Sequence, residues 1–147
     1  MTDFDALLDA ALERKNDDPH TSEVTVTVAD KPLRLRFSEL DSRDWSRCTL
    51  SSPPRDGVIV DALFGFDVTS ASELAAPMSG VVVDGENVSE LTLVQWGKLF
   101  AGISGRDRQS ISDAVIAVNE DAQMKRMEEA KKAFEGASKR KRPSRAK

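Results

Sequence analysis

The chain has 147 residues, of which 39% are hydrophobic and 31% are charged, enough for one domain with a modest core. Its apolar runs are shorter than the roughly 20 residues that cross a bilayer, and its acidic N-terminus is unlike a signal peptide. The single cysteine, Cys48, excludes an internal disulfide. These features predict a cytosolic protein.

Charge is distributed unevenly along the chain. The net charge of −4 comes from 21 basic and 25 acidic residues. Residues 139–147 contain six basic residues and no acid, so the rest of the chain carries 15 basic and 25 acidic residues, a net of −10. The six are Lys139, Arg140, Lys141, Arg142, Arg145 and Lys147. Because this block has no apolar surface to bury, we expect a disordered basic tail.

An amphipathic helix is predicted over residues 3–15. Its apolar side chains recur at helical spacing. They are Phe4, Leu7, Leu8, Ala11 and Leu12. Isolated helices of about 13 residues are barely stable in water, so this helix either packs on the core or acts as a detachable arm. With the polar stretch after it, the helix forms the first predicted segment, residues 1–22.

A β-hairpin is predicted next, because apolar and polar residues alternate in two neighbouring runs. The apolar positions are Val24, Val26, Val28, Leu33, Leu35 and Phe37. The turn is expected at Asp30 and Lys31. A lone hairpin is not stable, so its apolar face needs helices over it.

A capped helix is predicted after the hairpin. Ser38, with Asp41 three residues later, has the spacing of a capping box. The helix is expected to run to Leu50 and to contain Trp45 and Cys48.

The stretch between residues 51 and 89 gives weaker signals. Two prolines in the loop 51–57 end the preceding helix. Residues 58–68 are apolar and fit either a strand or a short helix, and we favour a helix over 60–64. Residues 70–77 add a helical turn or two. Residues 78–89 are predicted to be a loop with a possible short strand.

Two short helices joined by a tight turn are predicted within residues 91–119, and we expect the rest of the chain to pack around them. Thr92 with Gln95 and Ser104 with Asp107 have the spacing of capping boxes. The apolar positions are Leu93, Trp96, Leu99, Phe100 and Ile103 in the first helix, and Ile111, Ala114, Val115 and Val118 in the second. Residues 23–119 are therefore the predicted core. The predicted fold class is α+β and mostly helical, with a small β-hairpin against a helical core.

The last predicted segment, residues 120–147, combines a charged helix with the basic tail. The helix covers about 120–135 and either continues the one before it or stands alone. Met124, Met127 and Phe134 form a thin apolar stripe along it.

No constellation of residues indicates catalysis. His20 is the single histidine, so a histidine metal site or a catalytic triad has no second member. Cys48 is predicted to be a small buried hydrophobe rather than a nucleophile. Glycine motifs that bind phosphate are missing from the sequence. We expect no enzyme, no metal and no cofactor.

The basic tail leaves one alternative function open. Six cations can bind phosphates in a salt-sensitive way, but the acidic body would repel nucleic acid, and 5% aromatic residues offer little for base stacking. The helix pair also has the spacing of a helix-turn-helix, yet its second helix is poor in base-reading groups. A nucleic-acid-associated protein is therefore the alternative to the function considered next.

Four pieces of the sequence form a pattern when they are taken in order. They are Leu40-Asp41-Ser42-Arg43-Asp44-Trp45, then Ser52-Pro53-Pro54-Arg55, then Gly65-Phe66-Asp67, and finally the helix pair with Trp96, Leu99 and Phe100 that ends in Asn119. In this order the pieces resemble the tail assembly chaperones of long-tailed actinobacterial phages. The resemblance covers residues 37–119. Ser52 stands where members often have a histidine, and the 24–37 hairpin has no counterpart that we can match.

The resemblance implies a non-catalytic chaperone that coats the tape measure protein, keeps it soluble and recruits the major tail (tube) protein. It implies action in the cytoplasm of the infected bacterial host and absence from the mature virion. Many relatives also have a longer form made by programmed frameshifting, which is a further expected partner. Self-association is also expected, and contact with a membrane is not expected.

Binding to a long amphipathic client requires exposed apolar side chains, weak in each copy and repeated along the client. The candidate partner-binding residues are Phe4, Leu7, Leu8, Met124, Met127 and Phe134. Methionine adapts to irregular partners. The alternative for the first three is that they complete the core, which is also the favoured position of Trp96, Leu99 and Phe100.

Overall fold

The computed structural model describes residues 3–17, 20–121, 128, 129, 131–133, 135 and 136. The elements in chain order are α1 (Asp3–Asp17), β1 (Thr21–Val28), β2 (Lys31–Ser38), α2 (Ser42–Leu50), α3 (Ile59–Phe64), α4 (Val68–Ser79), β3 (Val81–Asp84), β4 (Asn87–Glu90), α5 (Leu93–Gly102) and α6 (Gly105–Ile116). A π-helical turn, Ala117–Asp121, follows α6. The predicted fold class, α+β and mostly helical, is confirmed.

The predicted hairpin is one half of a four-stranded antiparallel sheet of order β1-β2-β3-β4. Its turn lies at Ala29 and Asp30, one residue earlier than predicted, and both have positive φ values, 48° and 64°, as a tight two-residue hairpin turn requires. Strand β3 adds to β2 through the pairs Leu35↔Val82 and Arg36↔Val81. The second hairpin, β3–β4, lies where a loop with a short strand was predicted. Strand β3 corresponds to that strand. Strand β4 was missed, because it is exposed throughout and has no strand-like alternation.

The core lies between one face of the sheet and helices α2, α4, α5 and α6. Its buried members include Val26, Leu35, Phe37, Trp45, Cys48, Ala71, Ala75, Trp96, Leu99, Ile111, Val115 and Val118. The predicted burial of Trp96 and Leu99 is confirmed. The apolar residues predicted for the second helix are also buried: Ile111, Ala114, Val115 and Val118. The prediction that Leu93 lies on the buried face is wrong, because Leu93 is 76% exposed. It is the first residue of α5, and the core begins one turn later, at Trp96.

Trp96 joins the sheet to the helices. Its ring lies 6.0 Å from that of Phe37 on β2 and stacks at 5.8 Å on half-buried Phe100. Gly80, between α4 and β3, lets the indole approach the backbone, since a Cβ there would lie 2.6 Å from Trp96 Cζ2 and 2.6 Å from the Ala76 carbonyl oxygen. The indole N–H is buried, with no hydrogen-bond partner among the described residues.

Two of the three predicted helix starts differ in detail from the structure. Ser38 caps no helix, because it is the last residue of β2 and pairs with Thr21. The N-cap of α2 is Asp41, whose Oδ1 accepts the Arg43 N–H at 2.8 Å. The capping box of Thr92 and Gln95 is confirmed.

The start of α6 combines a local cap with a distant contact. Ser104 Oγ accepts the Asp107 N–H at 3.1 Å, as predicted. The Asp107 carboxylate does not close a box, because its Oδ2 accepts the N–H of Thr27 on edge strand β1 at 2.9 Å. This bond supplies a partner for a backbone group on a sheet edge.

The end of α6 is tied to the start of α2. Buried Asn119 accepts the Leu40 N–H at 2.9 Å and donates to the Val115 carbonyl at 2.9 Å. Trp45 Nε1 donates to Glu120 Oε1 at 2.6 Å, so Glu120, assigned to the third segment, contacts the core. Outside the described residues lie Met124, Met127, Phe134 and the six basic residues of the tail.

Within the part of the chain that the structure describes, no helix is both long enough and apolar enough to cross a membrane. Cys48 is buried, as predicted. Its burial, followed by the charge of Asp44, raises the pKa of the thiol, which opposes thiolate formation and nucleophilic reactivity.

The packing of Trp96 on Gly80 predicts a matched pair of glycine substitutions. Gly80→Ala places a methyl group against the indole and the Ala76 carbonyl, and should lower the free energy of unfolding by about 1–3 kcal/mol. Gly97→Ala, in α5 with open space around its Cα, should leave stability unchanged or raise it by up to about 1 kcal/mol. Urea unfolding followed by tryptophan fluorescence measures both, and equal effects would contradict this account.

Candidate partner-binding surfaces

Helix α3 buries its charged residue and exposes its large apolar ones. Asp61 is fully buried, whereas Ile59 and Leu63 are 79% and 80% exposed, and Val60 and Phe64 are 40% and 36% exposed. Residues two positions apart on a helix are about 200° apart around its axis. An inward Asp61 therefore turns Ile59 and Leu63 towards solvent. We call the four apolar residues the α3 patch.

Four hydrogen bonds hold the Asp61 carboxylate. The Arg55 guanidinium donates from Nε to Oδ2 at 2.8 Å and from Nη2 to Oδ1 at 3.1 Å. The backbone N–H groups of Arg55 and Val68 donate at 3.0 and 3.2 Å. The side-chain bonds from Arg55 are the main cause of an Asp61 pKa well below its usual range, and they outweigh the opposing effect of desolvation. Asp61 is therefore ionised at neutral pH.

Residues on both sides of α3 fix its position. Gly65 ends the helix with a φ of 86°, which favours glycine. Phe66 turns into the core, where its ring meets that of Trp45 edge-on at 5.7 Å. Asp67 caps α4 by accepting the Thr69 and Ser70 N–H groups at 3.1 Å, and its Oδ1 lies 3.2 Å from Arg55 Nε.

Two side-chain contacts therefore flank α3. Trp45 packs against Phe66, and Arg55 pairs with Asp67 as well as with Asp61. These residues have packing, pairing and capping roles that hold α3 in place.

A hollow of about 370 Å³ lies beside the α3 patch, between the helix and the preceding loop. It is lined by Pro54, Arg55, Asp56, Gly57, Val58, Ile59 and Ala62. Apolar groups predominate in it, and its two charged residues are of opposite sign. The surface around α3 thus has a protruding part, at Ile59 and Leu63, next to a concave part.

A second apolar surface is a groove of about 570 Å³ between α4 and α5, which we call the α4/α5 groove. Its lining consists of Ser51, Ser52, Ser70, Glu73, Leu74, Pro77, Leu93, Trp96, Gly97 and Phe100. Glu73 is the one charged residue among them, and it is paired with Arg108. A partner with an apolar face could enter this groove without removing an unpaired charge from water.

The third apolar surface is α1. Phe4, Leu7, Leu8 and Leu12 are each more than half exposed. The alternative that Phe4, Leu7 and Leu8 complete the core is therefore wrong, and the role of these three in partner binding stays a prediction.

The described residues contain no group of three or more histidine, cysteine, aspartate or glutamate side chains arranged to hold a metal ion. His20 is half-buried, and its carbonyl accepts the Glu39 N–H at 3.1 Å.

Sequence reasoning missed the α3 patch and the α4/α5 groove. A signal for the patch was present: residues 58–66 are apolar except for Asp61, which has an arginine six residues before it and a second aspartate six residues after it. An isolated acid in an apolar run, with a cation nearby, indicates a buried ion pair. The groove had no local signal, because α4 and α5 are separated by a hairpin in the sequence.

Comparisons with family models, with curated proteins and with solved structures find no match to this chain.

The Asp61 network predicts a stability that depends on pH. Because the folded-state pKa lies below the unfolded value of about 3.9, ionised Asp61 stabilises the fold at neutral pH, and this contribution falls as pH drops below about 4. Asp61→Asn should lower the melting temperature at pH 7 by on the order of 10 °C.

Thermal unfolding from about pH 7 to about pH 2.5 provides the test. The difference in melting temperature between the wild type and Asp61→Asn should become smaller as the pH drops. Asp56→Asn, which removes the same charge from an exposed position in the loop before α3, is the matched control and should have little effect. A gap that stays constant across this range would contradict a role for the ionised carboxylate.

Proposed function

We propose that this protein is a non-catalytic phage tail assembly chaperone that binds the tape measure protein and keeps it soluble during tail morphogenesis. The observation that carries the proposal is the α4/α5 groove, an open apolar surface with aromatic side chains at its base. The resemblance to tail assembly chaperones supplies the identity of the client. The groove supplies a physical means of binding it.

The groove suits an amphipathic helix. Such a helix inserts apolar side chains, spaced three or four residues apart, into an apolar cleft. Exposed Leu74 and Leu93 and half-buried Pro77 and Phe100 offer apolar surface, and buried Trp96 lies at the base of the groove. A tape measure protein that is a long amphipathic helix would present many similar turns. Weak binding at each turn then becomes strong when many chaperone copies bind along the same client.

The proposal also includes the expectations that accompany the resemblance. The α1 side chains Phe4, Leu7 and Leu8 form a second candidate contact with the client. The major tail (tube) protein and a longer frameshifted form are further proposed partners. The proposed site of action is the cytoplasm of the infected bacterial host, with no chaperone retained in the mature virion.

Co-expression with the tape measure protein of the same genome tests the proposal. We expect the client to be soluble only when this chain is present, with many chaperone copies per client in affinity pull-down and sizing. Nuclease treatment should leave the complex intact. A client whose solubility is indifferent to this chain would overturn the proposal, and a complex lost to nuclease would favour the nucleic-acid alternative.

A substitution in the groove separates it from other exposed apolar sites. Leu93→Glu puts a charge at the rim of the α4/α5 groove and should weaken client binding at least about tenfold, or about 1.4 kcal/mol. Val88→Glu, at an exposed position on β4 outside the groove, is the matched control and should bind normally. Titration of labelled chaperone with a tape measure fragment measures both.

A separate variant tests α1. Changing Phe4, Leu7 and Leu8 to serine should weaken client binding if α1 adds a second contact, while thermal unfolding stays unchanged because these side chains are exposed. Normal binding by this variant would restrict the client site to the body of the protein.

A further inference from the structure

We propose that helix α1 folds back onto the body of its own chain and covers the α4/α5 groove until a client displaces it. The inference concerns the regulation of the proposed client site, and the displacement step rests on the proposed function. The contact itself is a property of the chain without a client. Three observations support it: the exposed stripe of α1, the matching length of the groove, and the point at which α1 is attached to the body.

Helix α1 has an apolar stripe that packs on nothing. Residues 3–13 are all exposed, and the stripe consists of Phe4, Leu7, Leu8, Ala11 and Leu12. A helix of 15 residues is only marginally stable in water and is stabilised in proteins by packing of its apolar face. An apolar cleft is the surface that such a stripe fits.

The stripe and the groove have similar lengths. The stripe runs from Phe4 to Leu12, which is about 12 Å along a helix. The α5 side of the groove runs from Leu93 to Phe100, which is about 10 Å. The stripe therefore covers the groove from one end to the other.

This contact removes no unpaired charge from water. Glu73 is the one charged residue in the lining of the groove, and it is paired with Arg108. On α1, the acids Asp5, Asp9 and Glu13 lie about 90° or more around the helix from the centre of the stripe. Their carboxylates therefore stay in solvent when the stripe is covered.

The chain leaves the body beside the groove. The His20 carbonyl accepts the Glu39 N–H at 3.1 Å, and the N–H of neighbouring Ser38 donates to Oγ of Ser79, the last residue of α4, at 3.3 Å. Pro77, two residues before Ser79, lines the groove. The attachment point of α1 is thus close to the α4 side of the groove.

The intervening chain is long enough for the stripe to reach the groove. The helical part from Leu12 to Asp17 spans about 8 Å. The three residue steps from Asp17 to His20 span at most about 10 Å. Leu12 can therefore lie anywhere up to about 17 Å from His20, which includes the nearby end of α4.

A short tether makes a weak contact effective. Its effective concentration is on the order of 1 mM, so a contact with a dissociation constant of about 0.1 mM would cover the groove in about nine copies of ten. A helix that meets a single groove then binds about tenfold more weakly than it would without α1. A long client displaces α1 from many copies bound along it, and the displaced α1 is free to make its own client contact. The cover thus favours a repetitive client over a single exposed helix.

Hydrogen–deuterium exchange of the full chain without any client tests the proposal, read by mass spectrometry of fragments from residues 3–13. Leu93→Glu puts a charge at the rim of the groove and should speed exchange of the α1 amides about tenfold, since a free helix of this length is barely protected. Leu63→Glu, at an equally exposed position in the α3 patch, is the matched control and should leave exchange unchanged. Unchanged exchange of α6 establishes that each variant is folded.

A second pair of variants tests the stripe. Leu8→Ser should speed exchange of α1 more than Ala6→Ser, which lies on the opposite face of the helix. Serine lowers helix propensity more when it replaces alanine than when it replaces leucine, so a helix that is merely exposed would show the reverse order.

Four outcomes would overturn the proposal: unprotected α1 amides in the wild type, protection that Leu93→Glu leaves intact, protection lost through Leu63→Glu, and the reverse order of the serine variants. Protection that rises between about 1 µM and about 50 µM protein would also overturn it, since a contact within one chain is independent of concentration. Because no client is present, failure here is separate from failure of the proposed chaperone function.

Discussion

The ion pair between Asp61 and Arg55 is the constraint on which the exposed surface of this protein depends. An isolated carboxylate is costly to bury, and here a bidentate guanidinium and two backbone N–H groups compensate for the lost hydration. Helix α3 would bury more apolar area if it turned Ile59 and Leu63 inward. That rotation would expose Asp61 and leave Arg55 without this partner. The pair therefore selects the orientation of the helix, and through it the apolar patch.

As the ion pair positions the α3 patch, Trp96 positions the second apolar surface, the α4/α5 groove. It lies in the core against Phe37 and Gly80, and it also forms the base of the α4/α5 groove. The same close packing that fixes the sheet against the helices therefore shapes the proposed client site. A side chain fixed by packing on several sides loses little freedom on binding, which favours association.

The sequence by itself determined the elements whose signals are local. Alternation located the first hairpin, helical spacing located α1, α5 and α6, and the spacing of Thr92 and Gln95 identified a capping box that the structure contains. The buried stripe of α6 followed from the same spacing. These features depend on residues within about one helical turn or one strand of each other, which is the range that sequence patterns report.

Tertiary structure alone decided the remainder, because the deciding partners are distant in the chain. Ser38 ends a strand instead of capping a helix because it pairs with Thr21. The Asp107 carboxylate accepts the N–H of Thr27, 80 residues away on β1, and so does not close its predicted capping box. The exposed strand β4 exists through its pairing with β3, and Leu93 is exposed because the core does not extend beneath the first turn of α5. Hydrophobic periodicity assigns α3 a buried apolar face, and the buried ion pair reverses that assignment.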